Sequence, residues 1–342
     1  MFLRPFIAGL LLSGTLAPSV DAADNSSFPT LGVVARVAGV DGFWDYASVN
    51  PNTHTFFLGR ANGVMAINLD TNAVTAQFVP GDRVHGVIAL GDTGLEASAN
   101  GGTNTVTLFD PATGSVKASI ATGQGPDALA FDSGTDLLVA LDGKSQDATV
   151  IDPKTQKVAA TIPLGGRPEF AAGNGAGLVY DNLEDKNEIA VIDLKARNVS
   201  RRIPLSGCEG PGGLAYDKAD DLVISACHNH VAKFIDGASG AERASIAIGD
   251  GPDAVIYDDA RRVVYIPCGG SGTLSVISVL NAKNISLVGA VATQKGARTG
   301  AVDLRSGRVY LPTAQFQPAT EPGKRPTALP GTFEVLVVGP RK

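Results

Sequence analysis

The sequence predicts an all-β fold, a seven-bladed β-propeller built from four-stranded antiparallel blades. The segment Gly-Pro-Asp-Ala-Leu-Ala-Phe-Asp at 125–132 recurs as Gly-Pro-Asp-Ala-Val-Ile-Tyr-Asp at 251–258. Weaker copies begin at Arg167, Gly210 and Gly296, and degenerate ones surround His85 and Asp45. The third positions of the seven copies follow one another at intervals of 40 to 45 residues. A period of about 42 residues with several short apolar runs per unit is typical of propellers, with one blade per repeat.

The repeat at 125–164 shows how one blade is composed. Its short apolar runs at 128–131, 137–141, 149–152 and 158–162 are separated by segments rich in Gly, Asp, Ser, Lys and Pro. Four short runs joined by such turns predict an antiparallel meander. The third run ends in Asp152, and equivalent runs end in Asp110, Asp193 and Asp236. We expect each of these carboxylates to cap the turn that follows it.

The two ends of the chain predict how the ring closes. The last repeat offers only three strands, at 300–302, 308–311 and 333–338. The missing fourth strand is available at 31–37, near the start of the chain. Pairing the N-terminal strand with the C-terminal blade closes the ring and leaves no exposed edge.

The first 22 residues read as a secretory signal peptide. Arg4 supplies the positive charge, 7–16 the apolar core, and Val20-Asp21-Ala22 the small-residue cleavage site. The apolar run is too short to span a membrane. We therefore expect 23–342 to form one exported propeller domain, periplasmic or secreted, with no membrane span. The net charge of −6 argues against nucleic acid as a partner, because phosphate binding requires a basic patch.

Connectivity predicts which face of the ring is functional. The start of each first strand and the loop between the second and third strands lie on the same face of a blade. An inserted loop at 312–331, rich in Pro, Ala and Thr, would be on this face and would act as a lid or as a decoration. The repeat places one residue per blade at the channel mouth: Asp45, His85, Asp127, Glu169, Gly212, Asp253 and Arg298. Arg83, Arg167 and His228 fall beside them on the same face.

These residue types leave three interpretations open. Carboxylates around a narrow mouth repel one another unless a cation lies among them, so they could hold a divalent cation or a cationic ligand. Arg83, Arg167 and Arg298 could instead anchor an anion. The acidic side chains could also simply cap the first-strand turns and face channel water. Hard cations such as Ca²⁺ require about six to eight oxygen ligands, which the sequence alone does not supply.

The repeats resemble the YncE-like, YVTN-repeat family of secreted or periplasmic propellers. The resemblance covers nearly the whole mature chain and depends on the Gly-Pro-Asp segment and on the Val-x-Asp-x-x-Thr-x-x-Val pattern of the third strand. Two further stretches resemble a bacterial subgroup: Gly-Arg-Pro-Glu-Phe at 166–170 with Asn-Leu-Glu-Asp-Lys at 182–186, and Cys-Glu-Gly-Pro at 208–211 followed by Cys-His-Asn at 227–229. Leu-Val-Ala-Leu at 138–141 stands where the family has Tyr-Val-Thr-Asn. The resemblance implies the fold but little chemistry, because propellers host unrelated functions.

Three cysteines remain to be placed. Cys208 lies just before a first strand, and Cys227 ends the second strand of the same blade, within reach of it. An oxidising compartment favours a Cys208–Cys227 disulfide, which leaves Cys268 unpaired. A Cys227–Cys268 pair is the competing arrangement. Cysteine thiolates with His228 or His230 could alternatively hold a soft metal ion such as Cu or Zn.

The sequence favours binding over catalysis. The glycine-rich segment 269–273 lacks the G-x-S-x-G pattern of a nucleophile elbow and its strand-to-helix context. We expect a monomeric binding scaffold, without a required cofactor, that recognises a protein partner or small ligand at the channel mouth. The alternative is a metal-dependent hydrolase of the lactonase type, in which Asp127, Glu169, Asp253 and His85 hold a divalent ion that activates water.

Overall fold

A computed structural model describes residues 28–318 and 326–341. The predicted signal peptide at 1–22 lies outside these residues. The described chain forms seven four-stranded antiparallel sheets, as the repeat predicted. No helix within 28–318 and 326–341 is long and apolar enough to cross a membrane.

Blades 1 to 6 are each made of four consecutive strands. Their bounds are β2 Trp44–Asn50, β3 Thr55–Arg60, β4 Gly63–Asn68 and β5 Val74–Pro80 in blade 1; β6 Val84–Ala89, β7 Glu96–Asn100, β8 Thr105–Phe109 and β9 Val116–Ala121 in blade 2; β10 Pro126–Asp132, β11 Leu137–Asp142, β12 Asp147–Asp152 and β13 Lys157–Pro163 in blade 3; β14 Pro168–Gly173, β15 Leu178–Leu183, β16 Glu188–Asp193 and β17 Asn198–Pro204 in blade 4; β18 Pro211–Asp217, β19 Leu222–Cys227, β20 Val231–Asp236 and β21 Glu242–Ala247 in blade 5; β22 Ile256–Asp258, β23 Val263–Cys268, β24 Thr273–Asn281 and β25 Asn284–Ala292 in blade 6. A 3-10 helix, Gly91–Thr93, lies between β6 and β7.

Blade 7 joins the two ends of the chain. It combines β26 Ala301–Asp303, β27 Arg308–Thr313 and β28 Glu334–Pro340 with β1 Leu31–Ala38. β1 pairs antiparallel with β28, with Val33 opposite Val338 and Val37 opposite Val335. This confirms the predicted closure, in which the N-terminal strand covers the edge of the last blade.

Apolar packing between blades holds the ring together. The second strands of blades 1, 5 and 6 are buried along their whole length, because neighbouring blades cover both faces of each sheet. Phe57 illustrates the contact: its ring packs 5.6 Å from Phe78 and 5.8 Å from Phe109 of blade 2. Fourth strands such as β13 and β21 alternate instead between exposed and partly buried residues, since they form the outer rim.

The predicted turn caps are confirmed. The carboxylate of Asp152 accepts hydrogen bonds from the backbone N–H groups of Lys154 and Thr155, at 2.8 and 3.2 Å. Asp110, Asp193 and Asp236 cap their turns in the same way. Trp44 is buried between blades 1 and 7, with its ring 5.2 Å from that of Phe333, which precedes β28.

The Cys208–Cys227 disulfide is present, with a Cα–Cα distance of 5.4 Å. Both residues are buried in the core between blades 4 and 5. Cys268 is a buried free thiol, so the competing Cys227–Cys268 pair is wrong. The disulfide also removes Cys208 and Cys227 as thiolate ligands, which rules out the soft-metal site that would have used them.

A buried ion pair links blades 5 and 6. Arg262, at the start of β23, contacts the carboxylate of Asp217 at 2.7 Å and also pairs with Asp220. Its Nε donates to the carbonyl oxygen of Val279 at 3.0 Å. The Asp217 side chain is 1% exposed, so Arg262 is the cation that compensates its burial.

The stem of the insert after β27 is ordered into a short ladder. Phe316 and Ala328 form an isolated antiparallel bridge. The backbone N–H of Gln317 donates to Thr327 O at 2.9 Å, and that of Leu329 donates to Gln315 O at 2.7 Å. The stem therefore stands on the face of the ring where blade 7 meets blade 1.

Candidate functional site

A bulge in the first strand of blades 1 to 5 positions their residues at the channel mouth, whereas Asp253 and Arg298 lie just before the first strands of blades 6 and 7. In β2, Trp44 pairs with Arg60 and Ala47 with Leu58, so the first strand carries one residue more than its partner. β6, β10, β14 and β18 repeat this irregularity at the same place. The ring residue is the first of the two residues released from the ladder each time. A bulge redirects side chains, and here it turns them toward the channel axis.

Blades 1 to 3 contribute a contiguous group of two carboxylates and an imidazole. His85 Nδ1 lies 2.6 Å from Asp45 Oδ2 and 3.6 Å from Asp127 Oδ1. Burial lowers the pKa of His85, but the hydrogen bond with Asp45 and the charge of Asp127 raise it more, so the net shift is upward. The imidazolium form is therefore favoured, and it neutralises part of the acidic mouth.

Blades 6 and 7 contribute a second pair of opposite charges. Arg298 Nη1 lies 3.3 Å from Asp253 Oδ2. Burial lowers the pKa of Arg298, whereas Asp253, Asp45 and Glu169 raise it, and the net shift is upward. Interaction of one guanidinium with carboxylates of blades 1, 4 and 6 places these side chains around a common centre.

Tyr46 occupies that centre. Its hydroxyl donates to Glu169 Oε1 at 3.4 Å, across the ring from blade 1 to blade 4. The rings of Tyr46 and Phe170 meet edge to face at 5.0 Å between centroids. Burial, followed by the charges of Glu169, Asp127 and the other mouth carboxylates, raises the pKa of Tyr46 well above its ordinary value. Tyr46 and Phe170 thus lie directly beneath the charged mouth.

Two of the mouth carboxylates, Glu169 and Asp127, have raised pKa values. Burial and then the negative charges of Asp127 and Asp253 raise the pKa of Glu169 to about 8. Burial also raises the pKa of Asp127 to about 6, although the charge of His85 lowers it. Carboxylates with perturbed pKa values in a concave site are characteristic of functional positions.

Blade 5 provides its side chain differently. Gly212 holds the ring position, and its missing Cβ would lie 3.7 Å from His228 Nε2. His228, in the turn after β19, extends over Gly210 and Gly212, and a Cβ on Gly210 would stand only 2.8 Å from its Nδ1. Gly210 therefore makes room for the imidazole, which lies beside the seventh position of the mouth.

The three predicted arginines do not form one anion site. Arg298 pairs with Asp253, and Arg167 pairs instead with Glu184, whose other oxygen lies 3.7 Å from His228 Nδ1. Arg83 acts on the mouth through its own positive charge, which lowers the pKa of His85. The structure therefore brings Asp45, His85, Asp127, Glu169, Asp253 and Arg298 together, with Arg83, Arg167 and His228 around their rim.

Sequence reasoning missed three residues of this site. Tyr46 and Phe170 each follow a ring carboxylate, at a position where the strongest repeats have Ala128 and Ala254. An aromatic residue in place of a small one was the available signal. Glu184 gave no comparable signal, because it reaches Arg167 and His228 only through the fold.

The described residues include one group that could hold a metal ion. Ligand atoms of Asp45, His85 and Asp127 all lie within 4.8 Å of one another. An imidazole and two carboxylates suit Zn²⁺ at a three-ligand site that leaves a position for water, and they supply too few oxygens for Ca²⁺. The same Nδ1 atom makes the hydrogen bond with Asp45, so a metal would have to displace that proton.

No protein-family model and no curated protein matches the chain. Solved structures do resemble it. A chain in the crystal structure of the Mitotic Checkpoint Complex is 13% identical, with a TM-score of 0.72 over 90% of this chain and 95% of that one. A chain of hydrazine synthase from Kuenenia stuttgartiensis is also 13% identical, with a TM-score of 0.68 over 87% and 96%. At this identity the likeness shows the fold, and the chain is a seven-bladed β-propeller.

Proposed function

We propose that the chain is an exported, YVTN-repeat-like propeller that binds a protein partner or a small ligand at its channel mouth, as a monomer. One observation carries the proposal: six of the seven blades each place an ionisable side chain at one rim, around the buried Tyr46. Burial and then the neighbouring negative charges raise the pKa of Glu169, and burial raises that of Asp127, so their ionisation works against stability. Closing the ring would not by itself require this arrangement of ionisable groups.

Export is supported by two features. The first is the signal-peptide pattern of residues 1–22. The second is the Cys208–Cys227 disulfide, because disulfides form and persist in oxidising compartments. Both agree with the resemblance to secreted or periplasmic propellers.

The experiment compares ligand-induced thermal shifts of matched variants. The panel contains small organic anions, organic cations, neutral sugars and short peptides. The mouth variants are Asp127→Asn and Arg298→Gln, and the control is Lys154→Gln, whose surface pair with Asp136 lies in a turn on the opposite face of the ring. We expect at least one class to raise the Tm saturably in the wild type and in the control, and to lose this effect in a mouth variant. Equal shifts in all four proteins, or no saturable shift, would contradict the proposal.

The trio of Asp45, His85 and Asp127 favours a second candidate, a metal-dependent hydrolase of the lactonase type. A Zn²⁺ ion held there would lower the pKa of a bound water and make it a nucleophile. The protein is stripped with EDTA, refilled with Zn²⁺, Ca²⁺ or Mg²⁺, and assayed for lactone hydrolysis. A metal-dependent rate that is lost in Asp127→Ala would establish the hydrolase over the binding-only function. Absence of metal uptake and turnover would eliminate it.

A further inference from the structure

A cavity of about 820 Å³ opens beside the charged mouth, where the insert stem faces blades 6, 7 and 1. This volume lies within the range of about 300–1,000 Å³ that small-molecule sites occupy. Arg298 belongs to both the cavity wall and the mouth. Phe43 also connects them, because its ring packs edge to face on His85 at 5.6 Å. The cavity is therefore a continuation of the mouth toward the insert.

One side of the cavity is an aromatic wall. Trp44 and Phe316 line it with their ring centroids 6.3 Å apart, and Phe333 supports Trp44 from behind. Phe43 is 39% exposed, an unusual amount for an aromatic residue beside a charged site. Pro318 adds a further apolar surface. Rigid aromatic surfaces of this kind bind apolar ligand bodies at low entropic cost.

Another part of the cavity lining is cationic. Lys295 is exposed at the cavity wall, and Arg298 lies three residues later on the same segment. Arg298 is balanced in part by Asp253, so Lys295 supplies the additional positive charge. The raised pKa of Glu169 keeps that neighbouring carboxyl largely protonated at neutral pH, which limits repulsion of an incoming anion.

We propose that this cavity binds a small organic anion with an apolar body of aromatic size. The anionic group contacts Lys295 and Arg298, and the body packs on Phe43 and Phe316. The assignment rests on the proposed function, because it specifies a ligand class for the same mouth. It follows from the complementarity of a cationic wall and an aromatic wall that face one cavity.

The single Trp of the chain makes the test direct. Trp44 lines the cavity, so its fluorescence reports ligand entry without a label. The probes share one apolar body and differ in charge: 4-phenylbutyrate, 4-phenylbutanamide and 4-phenylbutylammonium. We expect a saturable change in Trp44 emission with the carboxylate, at an affinity about tenfold or more above that of the amide. The ammonium compound should bind most weakly.

Variants separate charge from packing. Lys295→Gln should weaken 4-phenylbutyrate by about fivefold and leave the amide unchanged. The matched control Lys283→Gln removes the same charge from an exposed turn of blade 6 on the opposite face and should change neither. Phe316→Ala should weaken both ligands. Equal affinities for the three probes, or an unchanged carboxylate affinity in Lys295→Gln, would overturn the assignment. A chain that ignores 4-phenylbutyrate but binds another class in an Asp127-dependent way would overturn the anion assignment alone and leave the mouth function standing.

Discussion

His228 packs beside Gly212 at the channel mouth, with its Nε2 atom 3.7 Å from the position that a Gly212 Cβ would take, an ordinary van der Waals distance. Blades 1 to 4 supply this position from the first strand and blades 6 and 7 from the segment just before it, whereas blade 5 places an imidazole there from the turn between β19 and β20. The disulfide lies at the base of this turn, since Cys227 immediately precedes His228 and is bonded to Cys208. The covalent link thus fixes the loop that carries the imidazole.

Adjacent glycines in β18 should respond differently to an added methyl group. A Cβ on Gly212 meets its surroundings at 3.7 Å or more, an ordinary contact, whereas a Cβ on Gly213 would stand 2.5 Å from the backbone of Ala254 in blade 6. We expect Gly212→Ala to change the free energy of unfolding by less than about 0.5 kcal/mol. Gly213→Ala should lower it by about 1–3 kcal/mol, because the two blades must separate. Urea denaturation measures both, and similar values would contradict the packing described.

Loss of the disulfide should destabilise the fold without changing its topology. The bond closes a loop of 19 residues, for which the unfolded-state entropy model gives about 3 kcal/mol. The double variant Cys208→Ala/Cys227→Ala should show this loss in urea denaturation, and reduced wild type should match it. Thiol titration in denaturant gives the covalent control: one reactive thiol before reduction and three after it. Three reactive thiols without reductant would show that the bond is absent.

Arg262 should contribute far more to the free energy of unfolding than a surface ion pair does. Replacing it with Ala leaves the buried Asp217 without its cation, so we expect a loss of about 3 kcal/mol in the free energy of unfolding. Lys154→Ala is the matched control, because its 2.7 Å pair with Asp136 is exposed on both sides and should cost at most about 1 kcal/mol. Equal losses for the two variants would mean that the link between blades 5 and 6 contributes little.

Much of the fold is encoded locally and was predictable from the sequence. Strand and turn patterns repeat with one period, and the Asp152-type caps are interactions between residues two or three positions apart. The predicted closing strand at 31–37 corresponds to the observed β1, Leu31–Ala38. The Cys208–Cys227 pair followed from hairpin register, which brings Cys227 opposite Pro211.

The site was less predictable because it depends on contacts across the ring. The repeat gave the angular position of Glu169, but its contact with Tyr46 joins blades that are not neighbours in the chain. The contact of Arg167 with Glu184 likewise depends on side-chain reach between a first strand and a turn. A period specifies which residues are equivalent. The side chains that these residues contact depend on their distance from the ring axis, on the bulge geometry and on local burial.

The raised pKa of Glu169, about 8, makes a prediction with a definite sign. Between its ordinary pKa and this value the folded state binds a proton that the unfolded state has released, so stability falls as pH rises through that interval. Glu169→Gln stays neutral and can still accept the hydrogen bond of Tyr46. We therefore expect the variant to match the wild type below about pH 4.5 and to exceed its free energy of unfolding by up to about 5 kcal/mol near pH 9, since each unit of pKa shift corresponds to about 1.4 kcal/mol.

Urea denaturation across this range measures the divergence of the two stability profiles. Glu209→Gln, which removes an exposed carboxyl on the same face, should run parallel to the wild type. Parallel profiles for Glu169→Gln would mean that Glu169 ionises normally. The mouth would then be more hydrated, and its charges farther apart, than the contacts around Tyr46 indicate. A divergence confined to high pH would instead identify the buried carboxyl as the source of the penalty, since only its ionised form is disfavoured by burial and by Asp127 and Asp253.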